Sequence, residues 1–158
     1  MMGILCGVMI VVVLVCLLLG NKERIVGGDI ATEDITEFVY TQGSSTASSS
    51  YQRYRFYIEA GKYLFYHEKR EGKHWPLTEE DVTLSGSREL TEEEWTEFIR
   101  YLQGGRVKKR VEHTEAGGAG PWMYLYWDGD GSKYQEFSFA SYEVQRSFQK
   151  FCEALVKQ

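Results

Sequence analysis

The chain has 158 residues, with 18 Lys and Arg against 23 Asp and Glu for a formal net charge of −5, and 15% of it is aromatic. That balance disfavours bulk attraction to nucleic acid or to anionic lipid, and the length allows one hydrophobic core with little room for a second. Cys6, Cys16 and Cys152 are the three cysteines, so beyond the first twenty residues no pair exists to form a disulfide.

From Gly3 to Leu19 no residue is charged, and twelve of these seventeen are Val, Ile or Leu. At 1.5 Å per residue a helix over this run is about 26 Å long, close to the roughly 30 Å hydrocarbon core of a bilayer. A secretory signal has a basic segment first and small residues at its end. Here no Lys or Arg precedes the run, and Leu18, Leu19 and Gly20 close it. Residues 1–20 are therefore read as a transmembrane anchor, with a cleaved signal segment as the alternative. Residues 21–35 read as a juxtamembrane linker and residues 36–158 as a single domain. Lys22 and Arg24 favour keeping this end cytoplasmic, whereas a long C-terminal domain translocates largely regardless of such charges. The address expected is a single-pass protein of the cell membrane with an extracytoplasmic domain, or a secreted domain after cleavage.

Arg24, Ile25, Val26, Gly27 and Gly28 match the activation junction of trypsin-like serine proteases. The likeness stops there, because no Gly-Asp-Ser-Gly nucleophile segment follows and the chain is too short for two β-barrels. From Glu37 the apolar period becomes two, with Phe38 and Tyr40 on one side. Gln42 to Ser50 is rich in Gly, Ser and Thr and reads as a connector. A strand over Tyr51 to Ile58 puts Tyr54, Phe56 and Ile58 on one face, and Tyr51, Arg53, Arg55 and Tyr57 on the other. Glu59, Ala60, Gly61 and Lys62 turn the chain into a partner strand over Tyr63 to Glu68. Gly72 to Gly86, with a short strand at Val82 to Leu84, reads as an insertion.

Thr91 followed three residues later by Glu94 forms a capping box, with Leu90 placed to staple onto Trp95. Trp95, Phe98, Ile99 and Leu102 then make an apolar helical stripe, which Gly104 and Gly105 end. Arg106 to His113 reads as a strand. Trp122 to Trp127 and Tyr134 to Phe139 flank Asp128, Gly129, Asp130 and Gly131 as a second hairpin. Ser141 caps a last helix with Val144, Phe148, Phe151 and Leu155 as its buried stripe. The fold class is α+β: a mostly antiparallel sheet of five or six strands with two helices on one face, in a β-β-β-α pseudo-repeat, preceded by an N-terminal hydrophobic helix.

The Gly/Ser stretch before Tyr51 to Ile58, the helix from Leu90 to Leu102, and the hairpin and helix from Met123 to Leu155 together resemble membrane-anchored or lipoprotein-like extracytoplasmic domains of Gram-positive bacteria. Those domains carry no assigned activity, so the resemblance implies an address and an architecture. No lipobox matches the lipid-modified members.

Catalytic, cofactor-binding and metal motifs are not found. Asp128 to Gly131 has glycine fourth, whereas an EF-hand loop needs it sixth, so a turn is preferred to a calcium site. His67, His74 and His113 lack zinc spacing, and Cys152 sits within a helix where thiol burial is the default. The runs Glu79 to Asp81 and Glu92 to Glu94 suit helix starts. Arg106, Lys108, Lys109 and Arg110 suit a charged edge strand. What remains is a sheet face carrying Tyr51, Arg53, Arg55, Tyr57, Trp122, Tyr124 and Tyr126, residue types concentrated at protein hot spots. The leading expectation is a non-enzymatic, membrane-anchored interaction domain that uses this face to bind a protein or an envelope polymer. An enzyme or enzyme-accessory domain is the alternative.

Overall fold

The structure, a computed structural model, describes residues 25, 30–45, 48–110, 121–127 and 131–157. Seven strands, β1 (Glu37–Ser44), β2 (Ser49–Glu59), β3 (Lys62–Gly72), β4 (Val82–Glu89), β5 (Val107–Lys109), β6 (Trp122–Tyr126) and β7 (Tyr134–Phe139), form one antiparallel sheet. Two α-helices, α1 (Glu92–Arg100) and α2 (Tyr142–Val156), complete it, so the chain is α+β. The strand order is β4-β3-β2-β1-β6-β7-β5.

The sheet exceeds the five or six strands expected because the short strand read at Val82 to Leu84 extends to Glu89 as β4 and joins the sheet. Its run Ser85, Gly86 and Ser87 carries no apolar period, since an edge strand with exposed side chains needs none. It nevertheless pairs along β3 from Leu64↔Glu89 to Arg70↔Val82, with a bulge near Lys69 and Arg70. The expected connector over Gln42 to Ser50 is also shorter. Gln42↔Gln52, Gly43↔Tyr51 and Ser44↔Ser50 are ladder pairs, because Gly and Ser backbones pair as well as any once a register is set elsewhere in the strand. The pseudo-repeat does not describe the topology. The first four strands form a meander, whereas β5 lies outside β7. Residues 111–113 of the strand expected to end at His113, and the turn over residues 128–130, lie outside the described residues.

The hairpin between β2 and β3 turns on Ala60 and Gly61, both at positive φ (51° and 76°), the geometry that matches strand twist in a two-residue loop. At α1 the capping box forms as read: the Glu94 amide donates to Thr91 Oγ1 at 3.2 Å, and the Thr91 amide donates to Glu94 Oε2 at 2.9 Å. Trp95, Phe98 and Leu102 are buried, with the Trp95 ring stacked on Tyr63 at 4.5 Å. In α2, Ser141 Oγ accepts from the Val144 amide, and Phe148, Cys152 and Leu155 are buried while Val144 and Phe151 are partly so.

Both helices cover the same sheet face. Phe56 lies parallel to Phe98 of α1 at 4.1 Å and near Phe148 of α2 at 6.0 Å, among Phe38, Tyr54, Phe65, Met123, Leu125 and Phe137. Tyr40, also in this core, has its hydroxyl satisfied by Gln149 Nε2 at 2.8 Å. Arg88 of β4 ties both helices to the sheet edge, bonding Glu94 at 2.6 and 3.1 Å and the Leu155 carbonyl at 3.3 Å. Ile58, expected among the buried residues, is 38% exposed because it lies near the end of its strand, past the helices' cover.

Within residues 21–35, the described Ile25, Ile30, Ala31 and Ile35 pack as part of the domain. Ile25, Ile30 and Ile35 are buried in the main core and Ala31 is buried with them. The Ile25 amide bonds the Ile30 carbonyl at 3.1 Å, and Thr36 continues to Tyr126 at 2.9 Å. Isoleucines spaced five apart fit neither helix nor strand period, which is why the sequence hides them. No helix among the described residues is long and apolar enough to cross a membrane; residues 3–19 lie outside that set.

Candidate binding face

Strand alternation sends the second side chain of every pair away from the helices, and the registers align these residues into rows. One row runs Tyr126, Glu37, Tyr57; the next Tyr124, Val39, Arg55, Tyr66; the next Trp122, Thr41, Arg53, Glu68. All seven residues predicted for this face are on it, each half-buried. Six of them, Tyr51, Arg53, Arg55, Tyr57, Tyr124 and Tyr126, line an open concavity of about 790 Å³. Trp122 stands outside it, with the Arg110 guanidinium 4.0 Å above its ring. A smaller hollow on the helix side, bordered by Tyr54, His67 and Leu84, measures about 180 Å³, below the roughly 300 Å³ at which ligand pockets begin.

Sequence reading missed Tyr66, Glu68, Arg70 and Glu79. The first three follow from the same alternation carried into β3. Glu79 does not, because it comes from the connection between β3 and β4, which folds over one end of the face. There Trp75 lies across Gly43, where a Cβ would sit 3.4 Å from the indole. Glu68, on the side opposite the helices and bonded by Arg70 and Tyr66, is only 3% exposed.

The charges are paired within the face. Glu68 accepts from Arg70 Nε at 2.5 Å and from the Tyr66 hydroxyl at 2.6 Å, and Arg70 Nη2 reaches Glu79 at 2.6 Å. Burial pushes the Glu68 carboxyl up, but hydrogen bonds from Arg70 and Tyr66, with the charges of Arg70 and Arg53, outweigh it and hold the group below the ordinary glutamate value. The Tyr66 phenol is pushed up to about 12 by burial and then by its bond to that carboxylate. Arg55 grips Glu37 with two bonds of 2.6 and 3.2 Å and lies 4.0 Å over the Tyr57 ring. Burial raises Tyr124 and Tyr126, with nearby Glu136 and Glu37 respectively adding to it. The β3 side is thus an ion-pair network, and the β6 side a tyrosine surface where Tyr124 and Tyr126 meet Tyr134 at 6.1 and 5.6 Å.

The other groups singled out lie elsewhere. His67 points to the helix side against Gly86, and burial lowers its pKa. His74 bonds Asp81 at 3.0 Å and the Pro76 carbonyl at 3.1 Å within the β3–β4 connection. Cys152 is buried and its thiol is pushed up by that burial. Lys108 and Lys109 are exposed on β5, an edge strand, while Val107, the strand's first residue, is buried. Among the described residues no group of three His, Cys, Asp or Glu could hold a metal ion. The chain matches no protein-family model, no curated protein and no solved structure.

Proposed function

We propose that this chain is a non-enzymatic interaction domain, held at a membrane by residues 3–19, that binds a protein or an envelope polymer through the sheet face opposite the helices. The observation that carries this reading is the 790 Å³ concavity in which half-buried Tyr and Arg side chains share one open surface. Ion pairs within the face already restrain Arg55 and Arg70, so little side-chain entropy is left to lose on binding. Glu37 and Glu68, each gripped by an arginine, are suited to holding a surface together and poorly suited to passing protons.

Tyr124 is the cleanest probe, since Arg55 is engaged with Glu37. Tyr124→Ala removes a ring from the middle of the face while Met123 and Leu125 stay in the core. Thermal unfolding should change little, and capture of the partner from the native membrane fraction should weaken at least tenfold, about 1.4 kcal/mol. Unchanged capture by the folded variant would exclude this face.

The anchor carries its own test. Full-length protein should stay with membranes through alkaline carbonate and keep its N-terminal residues; a soluble chain starting at Asn21 would mean the segment is a cleaved signal. Because Ile25 belongs to the core, the connection from Leu19 spans at most about 20 Å. An anchored domain would therefore work close to the bilayer surface, which agrees with the address implied by the resemblance to extracytoplasmic domains.

A further inference from the structure

The two edges of the sheet are built differently. β5 is a three-residue edge with Lys108 and Lys109 exposed, the charged kind that resists further pairing. β4 is an eight-residue edge without Lys or Pro, and five of its residues are exposed, Leu84 among them at 48%. The Leu90 amide bonds the Tyr63 carbonyl at 2.8 Å, which sets the parity of the ladder. Arg88, Gly86 and Leu84 turn their backbone groups to β3, and Glu89, Ser87 and Ser85 turn theirs outward. The Glu89 carbonyl accepts from the Arg88 side chain at 3.2 Å. Ser85 and Ser87 keep an outward amide and carbonyl each, and no described strand lies beyond β4 to meet them.

We propose that this edge is a dimer interface, in which β4 of a second copy pairs antiparallel with β4 about a two-fold axis at Gly86. The strand is complementary to itself in that register. Ser85 lies opposite Ser87 of the second copy, so the outward groups of both bond across the axis. Leu84 lies opposite Arg88, whose guanidinium is held by Glu94 and the Leu155 carbonyl, leaving its stem to cover the exposed leucine. Glu89 lies opposite Thr83, so no two like charges face each other. An axis at Ser85 would bring Glu89 toward Asp81, and one at Ser87 would shorten the overlap to residues 85–89. Because such an axis is perpendicular to the sheet, the two sheets join into one, with all helices on one side and both concavities on the other. Ser87 borders the concavity, so the two faces lie side by side. The dimer does not depend on the binding role given to that face.

The test is the mass of detergent-solubilised full-length protein by size exclusion with light scattering over a range of concentrations. Twice the chain mass is expected, falling to one chain on dilution. Ser85→Pro removes an outward amide that β3 does not use, and should raise the dimer dissociation constant at least tenfold, whereas Ser85→Ala should leave it unchanged. Leu84→Lys and Leu84→Glu, at an exposed site, read the same contact without touching the backbone: Lys opposite Arg88 should weaken the dimer, and Glu should not. A single chain at every concentration, a mass above two chains, or a dimer that both Ser85→Pro and Leu84→Lys leave intact overturns the proposal. A monomer whose Ser85 and Ser87 amides exchange hydrogen slowly overturns it as well, since another segment then covers the edge. Equal effects of Leu84→Lys and Leu84→Glu overturn the register at Gly86.

Discussion

Phe56→Ala is expected to destabilise the domain by about 3–5 kcal/mol, a large share of the roughly 5–15 kcal/mol available to a domain of this size. The ring is 0% exposed and is the point at which both helices meet the sheet. It stacks on Phe98 at 4.1 Å and 4° and stands 4.9 Å from Phe65, 6.0 Å from Phe148 and 6.1 Å from Phe151. Truncation would leave a cavity that neighbouring rings, locked in their own contacts, cannot fill. Urea unfolding measures the effect, and a loss below about 1 kcal/mol would show that α1 and α2 do not share this platform.

Arg70→Met is expected to cost about 3 kcal/mol at pH 7, because it strands a buried carboxylate whose remaining close partner is Tyr66. The pH dependence tells this from a simple packing loss. In the native chain Glu68 titrates below its unfolded value of about 4.3, so its contribution is complete above that pH and fades as pH falls through the lower folded value. Without Arg70 the upward push of burial loses its main opponent, and ionised Glu68 becomes a burden that protonation relieves. The deficit of the variant should be largest near pH 7 and shrink toward pH 4. A deficit equal at both values would mean that only packing was lost. Glu68→Gln combined with Arg70→Met should recover much of the stability, since no buried charge then lacks its partner.

The alternation of β2 and β6 was legible because Tyr54 and Phe56, or Met123 and Leu125, sit two residues apart with Arg or Tyr between them. The capping box of α1 was legible because Thr91 and Glu94 act within one turn. Of β4 only the start, Val82 to Leu84, was legible, because an edge strand whose partner supplies the register needs no apolar pattern of its own. Ile25 and Ile30 were not, because their burial depends on where β1 and the helices leave space. The candidate face divides in the same way. Tyr51, Arg53, Arg55, Tyr57, Tyr124 and Tyr126 could be placed together from a period of two, whereas Trp122 lies outside the concavity because it begins β6, before the first residue paired with β7, and carries Arg110 over its ring.

Signals that act over one to four residues (strand alternation, helix stripes, caps and the Ala60–Gly61 turn) determined the α+β class, the two helices and the side of each central strand that turns from the core. The strand order, the length of the ladder through Gly43 and Ser44, and the overhang that brings Glu79 and Trp75 onto the face were decided by tertiary structure alone. So was the partnership of Glu68 with Arg70 and Tyr66. The reason is physical: a carboxylate on β3 could bond any of several cations of equal charge, and the choice falls to ångström-scale distances that exist only after the strands have registered and the connection has closed over them.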